Sequence, residues 1–320
     1  MTTSSHSLTP HAPLQESAGG TLRNAVERLC AAQHDGYSRS PSATHQLLPS
    51  RDAVIAIVEA LRSALFPGYF GDRELTEDSL RFHVGATLDR VQRELQEQIR
   101  RGLCFACQEP DPRRCPQCDA HALARAGAFL DRLPEVRRLL GTDVQAAYNG
   151  DPAATSPSET ILCYPGILAV TNYRLAHELH LIDVPLVPRM MTEYAHSVTG
   201  IDIHPGTKIG EHFFIDHGTG VVIGETAVIG DRVRIYQGVT LGAKSFPLDE
   251  HGHPVKGIPR HPIIEDDVTI YSGATILGRI TIGAGSVIGG NVWLTHDVPR
   301  DSRISQVEVR QGGFGDGGGI

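Results

Sequence analysis

Between Ile201 and Leu294 an aliphatic residue returns at every sixth position. A helix would repeat near 3.6 residues and a lone strand at two, so a period of six indicates a strand and a turn repeated together. An antiparallel β-sandwich, with turns about every 8 to 12 residues, does not explain this period. Repeats of this kind wind as a parallel β-helix whose inward aliphatic side chains stack from coil to coil. The positions form three runs: Ile203, Ile209, Ile215 and Val221; after a slip of two residues, Ile223, Ile229, Ile235 and Leu241; and after an interruption, Ile264, Ile270, Ile276, Ile282, Ile288 and Leu294.

The chain ahead of the repeat has a helical pattern. One long helix is predicted to start near Thr76, where Glu77 and Asp78 place acidic side chains in the first turn. Its apolar face is Val84, Leu88, Val91, Leu95 and Ile99. Further helices are predicted at residues 121–133, 135–147 and 159–181, the last kinked at Pro165, with a short one after Pro188.

The predicted fold class is therefore an N-terminal α-helical domain followed by a left-handed parallel β-helix of hexapeptide repeats. The predicted domain plan has four parts: a disordered lead-in at 1–50, the helical domain at 51–198, the β-helix at 199–298 and a flexible tail at 299–320. Within the β-helix, residues 243–262 interrupt the repeat and are predicted to project as a loop.

Composition narrows the function classes. The 320 residues are 40% hydrophobic and 21% charged, as in ordinary globular proteins. A formal net charge of −8 argues against nucleic-acid binding, which needs a basic surface. No apolar run is long enough for a membrane span, and residues 1–50 lack the pattern of a secretory signal, so a cytoplasmic location is expected.

Four of the six cysteines form two C-x-x-C pairs within residues 104–118. Thiolates at this spacing can reach one tetrahedral Zn²⁺, and a reducing compartment disfavours disulfides. The gap between the pairs is shorter than the usual zinc-ribbon spacing, so unligated or reversibly oxidised thiols remain the alternative. The candidate structural zinc ligands are Cys104, Cys107, Cys115 and Cys118.

Acids and histidines are placed in the repeat where a β-helix does not require them. Asp216 and His217 are adjacent just before the phase of the repeat slips by two residues. Asp202 precedes His217 by about one coil, so the two are predicted to lie on adjacent coils as a base and its orienting carboxylate. Singly, each would be an ordinary surface or turn residue.

Several motifs in order resemble bacterial serine O-acetyltransferases, over residues 142–294. Together they are more specific than the hexapeptide repeat, which many acyltransferases share. They are Asp151-Pro152-Ala153, Asp202-Ile203-His204-Pro205, Ile215-Asp216-His217-Gly218-Thr219-Gly220, Gly224-Glu225-Thr226 and Arg260-His261-Pro262.

The resemblance implies acetyl transfer from acetyl-CoA to the hydroxyl of L-serine, in cysteine biosynthesis. His217 would be the general base and Asp202 would orient it. The residues implied to bind the substrate are Asp151, Asp216, Glu225, Arg260 and His261. The positions implied to contact acetyl-CoA are Gly242, Ala243, Lys244, Ser272 and Gly290.

The resemblance also implies partners. Family members are commonly inhibited by L-cysteine, and they assemble as trimers that pair into hexamers through the helical domains. The glycine-rich end 312–320 resembles tails that dock into O-acetylserine sulfhydrylase, with Ile320 as the anchor. The chain departs from the shorter family pattern in the expanded loop 245–258 and in the cysteine segment.

Other functions fit parts of the sequence. A sugar or antibiotic acetyltransferase would share the repeat and the co-substrate. A zinc lyase of the γ-carbonic anhydrase type would use histidines from neighbouring subunits, and a non-catalytic scaffold would leave the acid-histidine pair without a role. Metal content and an acyl-transfer assay discriminate among them.

Overall fold

The computed structural model describes residues 18–31, 48–72, 74–107 and 115–306. The chain divides into two compact units, residues 1–45 and residues 46–320. The second unit holds both the remaining helices and the β-helix, so the predicted parts 51–198 and 199–298 are not separate compact bodies.

Seven helices occur in the described residues, and none of these is both long and apolar enough to cross a lipid bilayer. The predicted start of the long helix at Thr76 is confirmed, because the Thr76 hydroxyl accepts a hydrogen bond from Ser79 N. The helices are α1 (Ala18–Ala31), α2 (Arg51–Leu65), α3 (Glu77–Ala106), α4 (Pro116–Gly150), α5 (Pro157–Cys163), α6 (Pro165–Leu181) and α7 (Val187–Thr199).

Fourteen short strands follow in the described residues: β1 (Asp202–Ile203), β2 (Lys208–Ile209), β3 (Phe214–Ile215), β4 (Val222–Ile223), β5 (Val228–Ile229), β6 (Arg234–Ile235), β7 (Thr240–Gly242), β8 (Ile263–Ile264), β9 (Thr269–Ile270), β10 (Thr275–Leu277), β11 (Thr281–Ile282), β12 (Val287–Ile288), β13 (Trp293–Leu294) and β14 (Arg303–Ile304). They form three parallel sheets: a first sheet β1-β4-β7-β10-β13, a second sheet β2-β5-β8-β11 and a third sheet β3-β6-β9-β12-β14. Strands β1 to β13 visit the three sheets in turn, which is the predicted parallel β-helix, and β14 returns to the third sheet.

The register explains both irregularities of the repeat. Val222 lies opposite Thr240, an ordinary coil of 18 residues, whereas Asp202 lies opposite Val222, a coil of 20. The two extra residues account for the slip near His217. Thr240 lies opposite Thr275 at a separation of 35 residues, because this coil carries the predicted loop 243–262.

Two predicted helix boundaries differ from the structure. The helices predicted at 121–133 and 135–147 are one helix, α4, which continues through Pro134 although proline lacks the N–H that would bond to the preceding turn. Burial of Leu133 and Val136 on either side holds it in place. The helix predicted at 159–181 is instead two helices, because Tyr164, which precedes Pro165, is extended.

The predicted ends of the domain plan also change. The lead-in 1–50 contains α1, whose Leu22, Val26 and Leu29 recur at helical spacing and are exposed in the described structure. Within the predicted tail 299–320, strand β14 pairs with β12 and extends the third sheet. Residues 307–320 lie outside the described part.

Helices α4 and α6 pack directly on the first coil. A Cβ at Gly166 in α6 would overlap the backbone oxygen of Ile215. Arg174 of α6 makes two hydrogen bonds to Asp143 of α4, at 2.6 and 2.8 Å, and a third to Gly210 O at 2.8 Å. Asp143 is fully buried and also accepts from Phe213 N, so this network ties both helices to the coil that carries His217.

Candidate active site

The predicted site residues lie at two corners of the β-helix, on either side of the first sheet. Corner I joins the third sheet to the first and comprises residues 216–221, 236–239, 271–274 and 289–292. Corner II joins the first sheet to the second and comprises residues 204–207, 224–227, 243–262 and 278–280.

Corner I carries a cluster of two acids, a tyrosine and a histidine. Asp151 ends α4, and its carboxylate accepts a hydrogen bond from the Tyr164 hydroxyl at 2.6 Å and another from Ala153 N at 2.8 Å. Asp216 Oδ1 lies 3.8 Å from His217 Nε2. The docking of α4 and α6 on the first coil therefore places Asp151 beside the corner that holds the imidazole.

Charges in this cluster act on one another. The hydrogen bonds from Tyr164 and from Ala153 N lower the pKa of Asp151, and the charge of His217 acts in the same direction. The bond to Asp151 raises the pKa of Tyr164, helped by the nearby charge of Asp216. Asp151 thus stays ionised at neutral pH and can bind a cationic group.

His217 lies in a tight turn of the backbone. Its φ is +56°, in the left-handed region, and Gly218 N donates to Asp216 O across it at 2.6 Å. The turn directs the imidazole outward, so that 70% of the side chain is exposed. Seven other non-glycine residues of the described chain also have a positive φ, so the conformation positions the ring and does not by itself mark a functional residue.

Asp202 lies next to corner I, at the start of the first sheet. Its backbone N–H donates to Val221 O at 2.9 Å, so its backbone lies beside the last residue of the corner that carries His217. Among the described residues no hydrogen bond joins the two side chains, and the orienting role of Asp202 stays a prediction.

Corner II carries an ion pair in the loop. Arg260 Nη2 donates to Glu225 Oε2 at 2.7 Å, and about a quarter to a third of each side chain is exposed, 22% and 33%. Burial alone would raise the pKa of Glu225, but the hydrogen bond and charge of Arg260 lower it overall. The pair holds the guanidinium in a defined place with donors left for a ligand.

Thr226 positions the second imidazole. Its hydroxyl lies 2.9 Å from His261 Nδ1 and accepts from Arg260 N at 2.9 Å, and Thr226 N donates to Nδ1 at 3.1 Å. His261 is 6% exposed, and its ring lies where a Cβ of Gly224 would be. Because Nδ1 accepts, the neutral ring carries its proton on Nε2.

Histidines at corner II are held neutral. Burial, then the charge of Arg260, lowers the pKa of His261 to about 4. Burial, then the charge of Arg189, lowers the pKa of His204 to about 4. A cleft of about 270 Å³ lies beside them and is lined in part by His180, Glu225, Thr226 and Arg279.

These two rings predict a pH dependence of stability. Their folded pKa is below the ordinary 6.5, so the unfolded chain binds more protons between pH 6.5 and about 4. The contribution of each ring to the free energy of unfolding is therefore fully present above pH 6.5 and is lost as the pH falls towards about 4. With solvent screening taken into account, this contribution is about 1–2 kcal/mol per ring. His204→Gln should flatten the fall of Tm between about pH 7 and pH 4.5. The exposed loop variant His253→Gln is the control, and identical curves for wild type and His204→Gln would refute the assignment.

The candidate acetyl-CoA contacts divide between the corners. Gly242, Ala243 and Lys244 are at the end of β7 and the start of the loop, at corner II. Ser272 and Gly290 are neighbours at corner I, since a Cβ at Gly290 would lie 3.1 Å from Ser272 O. Within a single chain, the acetyl-CoA candidates at corner I and those at corner II therefore lie apart.

The same division applies to the substrate-binding candidates. Strand β4 with its flanks puts about 10 Å of extended chain between Val221 and Gly224, at about 3.3 Å per residue. Asp151, Asp216 and His217 belong to one corner, and Arg260 and His261 to the other. Sequence reasoning missed Tyr164 and Thr226, although Thr226 falls within a quoted motif and Tyr164 directly precedes Pro165.

The four cysteines of the predicted zinc site lie together at the paired ends of α3 and α4. Among the described residues, Cys107, Cys115 and Cys118 are the group whose ligand atoms are arranged to hold a metal ion, within 4.8 Å of one another. The histidines of the zinc-lyase alternative form no such group in the described chain.

Comparisons with known proteins agree with this architecture. Residues 261–296 match the family described as bacterial transferase hexapeptide (six repeats). A plasmid-encoded serine acetyltransferase of Synechococcus elongatus is 58% identical over 275 residues, which are 85% of this chain and 86% of the relative.

Solved structures of serine acetyltransferases have a fold similar to that of this chain. Serine acetyltransferase 1 of Entamoeba histolytica in complex with L-cysteine has a TM-score of 0.68 and 36% identity, and the match covers 89% of this chain and 100% of that one. Serine acetyltransferase of Neisseria gonorrhoeae in complex with serine has a TM-score of 0.51 and 26% identity, over 80% of this chain and 97% of that one. The predicted fold class, helices followed by a left-handed parallel β-helix, is confirmed.

Proposed function

This chain belongs to the serine acetyltransferase family, and we propose that its active site is formed by corner I of one copy and corner II of the next. It is an acyltransferase that moves the acetyl group of acetyl-CoA to the hydroxyl of L-serine, giving O-acetyl-L-serine and CoA. The observation that carries the proposal is the placement of complementary charged groups at two corners that a single chain keeps apart.

The reaction explains the need for a base. A serine hydroxyl is a poor nucleophile at neutral pH, so the neutral imidazole of His217 takes its proton as the oxygen attacks the thioester carbonyl. The C–O bond forms, the C–S bond breaks, and the imidazolium returns its proton to the leaving CoA sulfur. Asp202, at the start of the first sheet beside corner I, stabilises the imidazolium.

Corner I binds the ammonium group of serine. Asp151 and Asp216 lie beside His217, and Asp151 is held ionised by Tyr164. The two carboxylates place a cationic nitrogen close to the base, and the serine hydroxyl is only two carbons from that nitrogen. This positioning lowers the activation barrier, because the substrate loses its translational and rotational freedom on binding and not during the chemical step.

Corner II of the neighbouring copy binds the carboxylate. Arg260 offers a planar pair of N–H donors suited to a carboxylate, and Glu225 fixes its orientation at 2.7 Å. His261 Nε2–H is a neutral donor that adds no charge of its own. The two ends of the amino acid are thus recognised by opposite charges from two copies.

Symmetry brings the two corners together. In a ring of copies around an axis parallel to the β-helix, corner I of each copy lies next to corner II of its neighbour. The first sheet lies between these corners and exposes apolar side chains, with Trp293 at 67% and Val222 at 39%. A trimer packed around this face buries them and covers His217, which keeps water from the thioester. Two trimers then pair through the helices as a hexamer.

Acetyl-CoA follows the cleft between copies. Ser272 and Gly290 continue corner I along the β-helix axis beyond His217, and Gly242 to Lys244 lie at corner II of the neighbour. Lys244 supplies a positive charge for the anionic end of CoA. No group of the cysteine cluster takes part in this transfer.

The experiment that tests this function is CoA release with L-serine against a panel of amines, sugars and alcohols. L-Serine should give the highest kcat/KM. Asp151→Asn should raise the serine KM about tenfold or more, because a charged hydrogen bond is worth about 1.5–3 kcal/mol. The surface variant Asp89→Asn is the control, and a preferred sugar or amine acceptor would overturn the assignment.

L-Cysteine is expected to inhibit competitively with L-serine. Cysteine has a thiol where serine has a hydroxyl and is otherwise identical, so a site that recognises the ammonium and carboxylate groups binds both amino acids. Asp151→Asn should therefore raise the cysteine Ki and the serine KM together, each about tenfold or more. Initial rates at subsaturating serine measure both, and a Ki that stays fixed while KM rises would place cysteine elsewhere.

The end of the chain is proposed to dock with O-acetylserine sulfhydrylase through Ile320, which lies outside the described residues. A free carboxylate on an apolar terminal residue can enter a pocket that captures amino acids. Deletion of Ile320 should abolish sulfhydrylase binding in calorimetry and leave serine acetylation intact. Deletion of Val307 with Ile320 kept is the matched control, and unchanged binding without Ile320 would contradict the proposal.

A further inference from the structure

The cysteine cluster joins the end of one helix to the start of the next. Cys104 is in the last turn of α3 and Cys107 follows its final residue, while Cys115 caps α4 and Cys118 lies in its first turn. Each pair is three residues apart, which puts both thiols on one side of the helix end. The two pairs therefore face each other where the helices meet.

The sulfur atoms have the spacing of a metal site. The sulfurs of Cys107, Cys115 and Cys118 all lie within 4.8 Å of one another, and Cys107 Sγ is 3.8 Å from Cys115 Sγ. Tetrahedral Zn–S bonds of about 2.3 Å separate sulfurs by about 3.8 Å. A hydrogen bond between the thiols of Cys104 and Cys118 brings the fourth sulfur to the same place.

Hydrophobic packing does not account for this cluster. Cys104, Cys115 and Cys118 are 3%, 5% and 6% exposed, and they form a buried group separate from the main core, with Leu103 and Cys107 packed against it. No disulfide joins the described cysteines. Three buried thiols and a half-buried fourth, with almost no aliphatic neighbours, are typical of a ligand set and unusual for a core.

Two neighbouring groups can stabilise negative charge on the cluster. Cys118 N donates to Cys115 Sγ at 3.4 Å across the turn that Pro116 begins, which supports negative charge on that sulfur. Arg100 lies close enough to Cys104 to act on it electrostatically. A Zn²⁺ with four thiolates carries a net charge of −2, which this guanidinium partly offsets.

We propose that Cys104, Cys107, Cys115 and Cys118 bind one structural Zn²⁺ that fastens the end of α3 to the start of α4. Binding releases the four thiol protons and forms four Zn–S bonds, with no change of oxidation state. All four positions are filled by protein, so the ion has no open site for a substrate.

The test measures metal in the full-length protein purified without chelators from zinc-supplemented cells. Elemental analysis should find about one zinc ion per chain, released when a mercurial reagent blocks the thiols. Cys118→Ser should lose the zinc and lower Tm, while the exposed-cysteine control Cys163→Ser keeps both. Cys107→His should retain zinc, because imidazole is an ordinary tetrahedral ligand, and this guards against a Cys118→Ser chain that does not fold.

Three outcomes would overturn the proposal: wild-type protein with little or no zinc, iron in place of zinc, or disulfides in place of the four thiols. None of these measurements depends on the catalytic activity of the protein. A zinc-loaded protein that fails to acetylate serine would contradict the proposed function and leave the zinc site standing.

Discussion

Replacing His217 with asparagine is expected to lower kcat for L-serine by about 10²–10⁴, the usual contribution of a general base. Asparagine is the suitable replacement because His217 has a φ of +56°, a conformation that asparagine tolerates better than alanine. The substitution removes the base and keeps the turn that Asp216 and Gly218 form. Steady-state CoA release gives kcat, and thermal unfolding checks that the fold is unchanged.

His212→Asn is the matched control for this variant. His212 also has a φ of +56°, at a corner of the first coil away from the substrate-binding candidates, so it reports the backbone effect alone. Its kcat should stay within about twofold of wild type. Asp202→Asn should cost less than His217→Asn, since it removes only the orienting carboxylate. A His217→Asn protein with near-normal kcat and unchanged Tm would remove His217 from the mechanism.

The β-helix could be predicted from the sequence because every coil needs aliphatic residues at the same inward positions. Inward positions such as Ile235, Leu241 and Ile276 must be aliphatic, and all three are fully buried. Helix boundaries were less predictable where local and tertiary effects compete. Pro134 disfavours a helix locally, and packing on both sides of it prevails.

The site could be predicted only in part. Ordered motifs pointed to Asp151, Asp216 and His217, which the structure places close together, because a family resemblance compares residues one by one. The sequence could not show that Tyr164 would bond to Asp151, since that contact depends on how α4 and α6 dock on the first coil. Nor could it show that Arg260 lies at a different corner from His217, because the coil lengths that decide this depend on the register of the sheets.

The division of the site predicts that two inactive variants restore each other. In the proposed site, His217→Asn removes the base at corner I, and Arg260→Ala removes the carboxylate-binding group at corner II. Each alone should be strongly impaired at subsaturating serine, the second by about 10- to 100-fold for one charged hydrogen-bonding group. In a mixed ring, a site that takes corner I from an Arg260→Ala chain and corner II from a His217→Asn chain has both groups intact.

Random mixing of equal amounts in co-expressing cells makes about one quarter of the sites intact, whatever the number of copies in the ring. With differently tagged chains, purification through both tags removes the unmixed assemblies, so the selected protein should show about a third of wild-type kcat/KM if it is a trimer and about a quarter if it is a hexamer of two trimers. Co-expression of His217→Asn with Asp151→Asn is the matched control, because both substitutions are at corner I and no mixed site is intact. If the first mixture stays as inactive as its parents, one chain supplies both corners of its own site, and the shared arrangement is wrong.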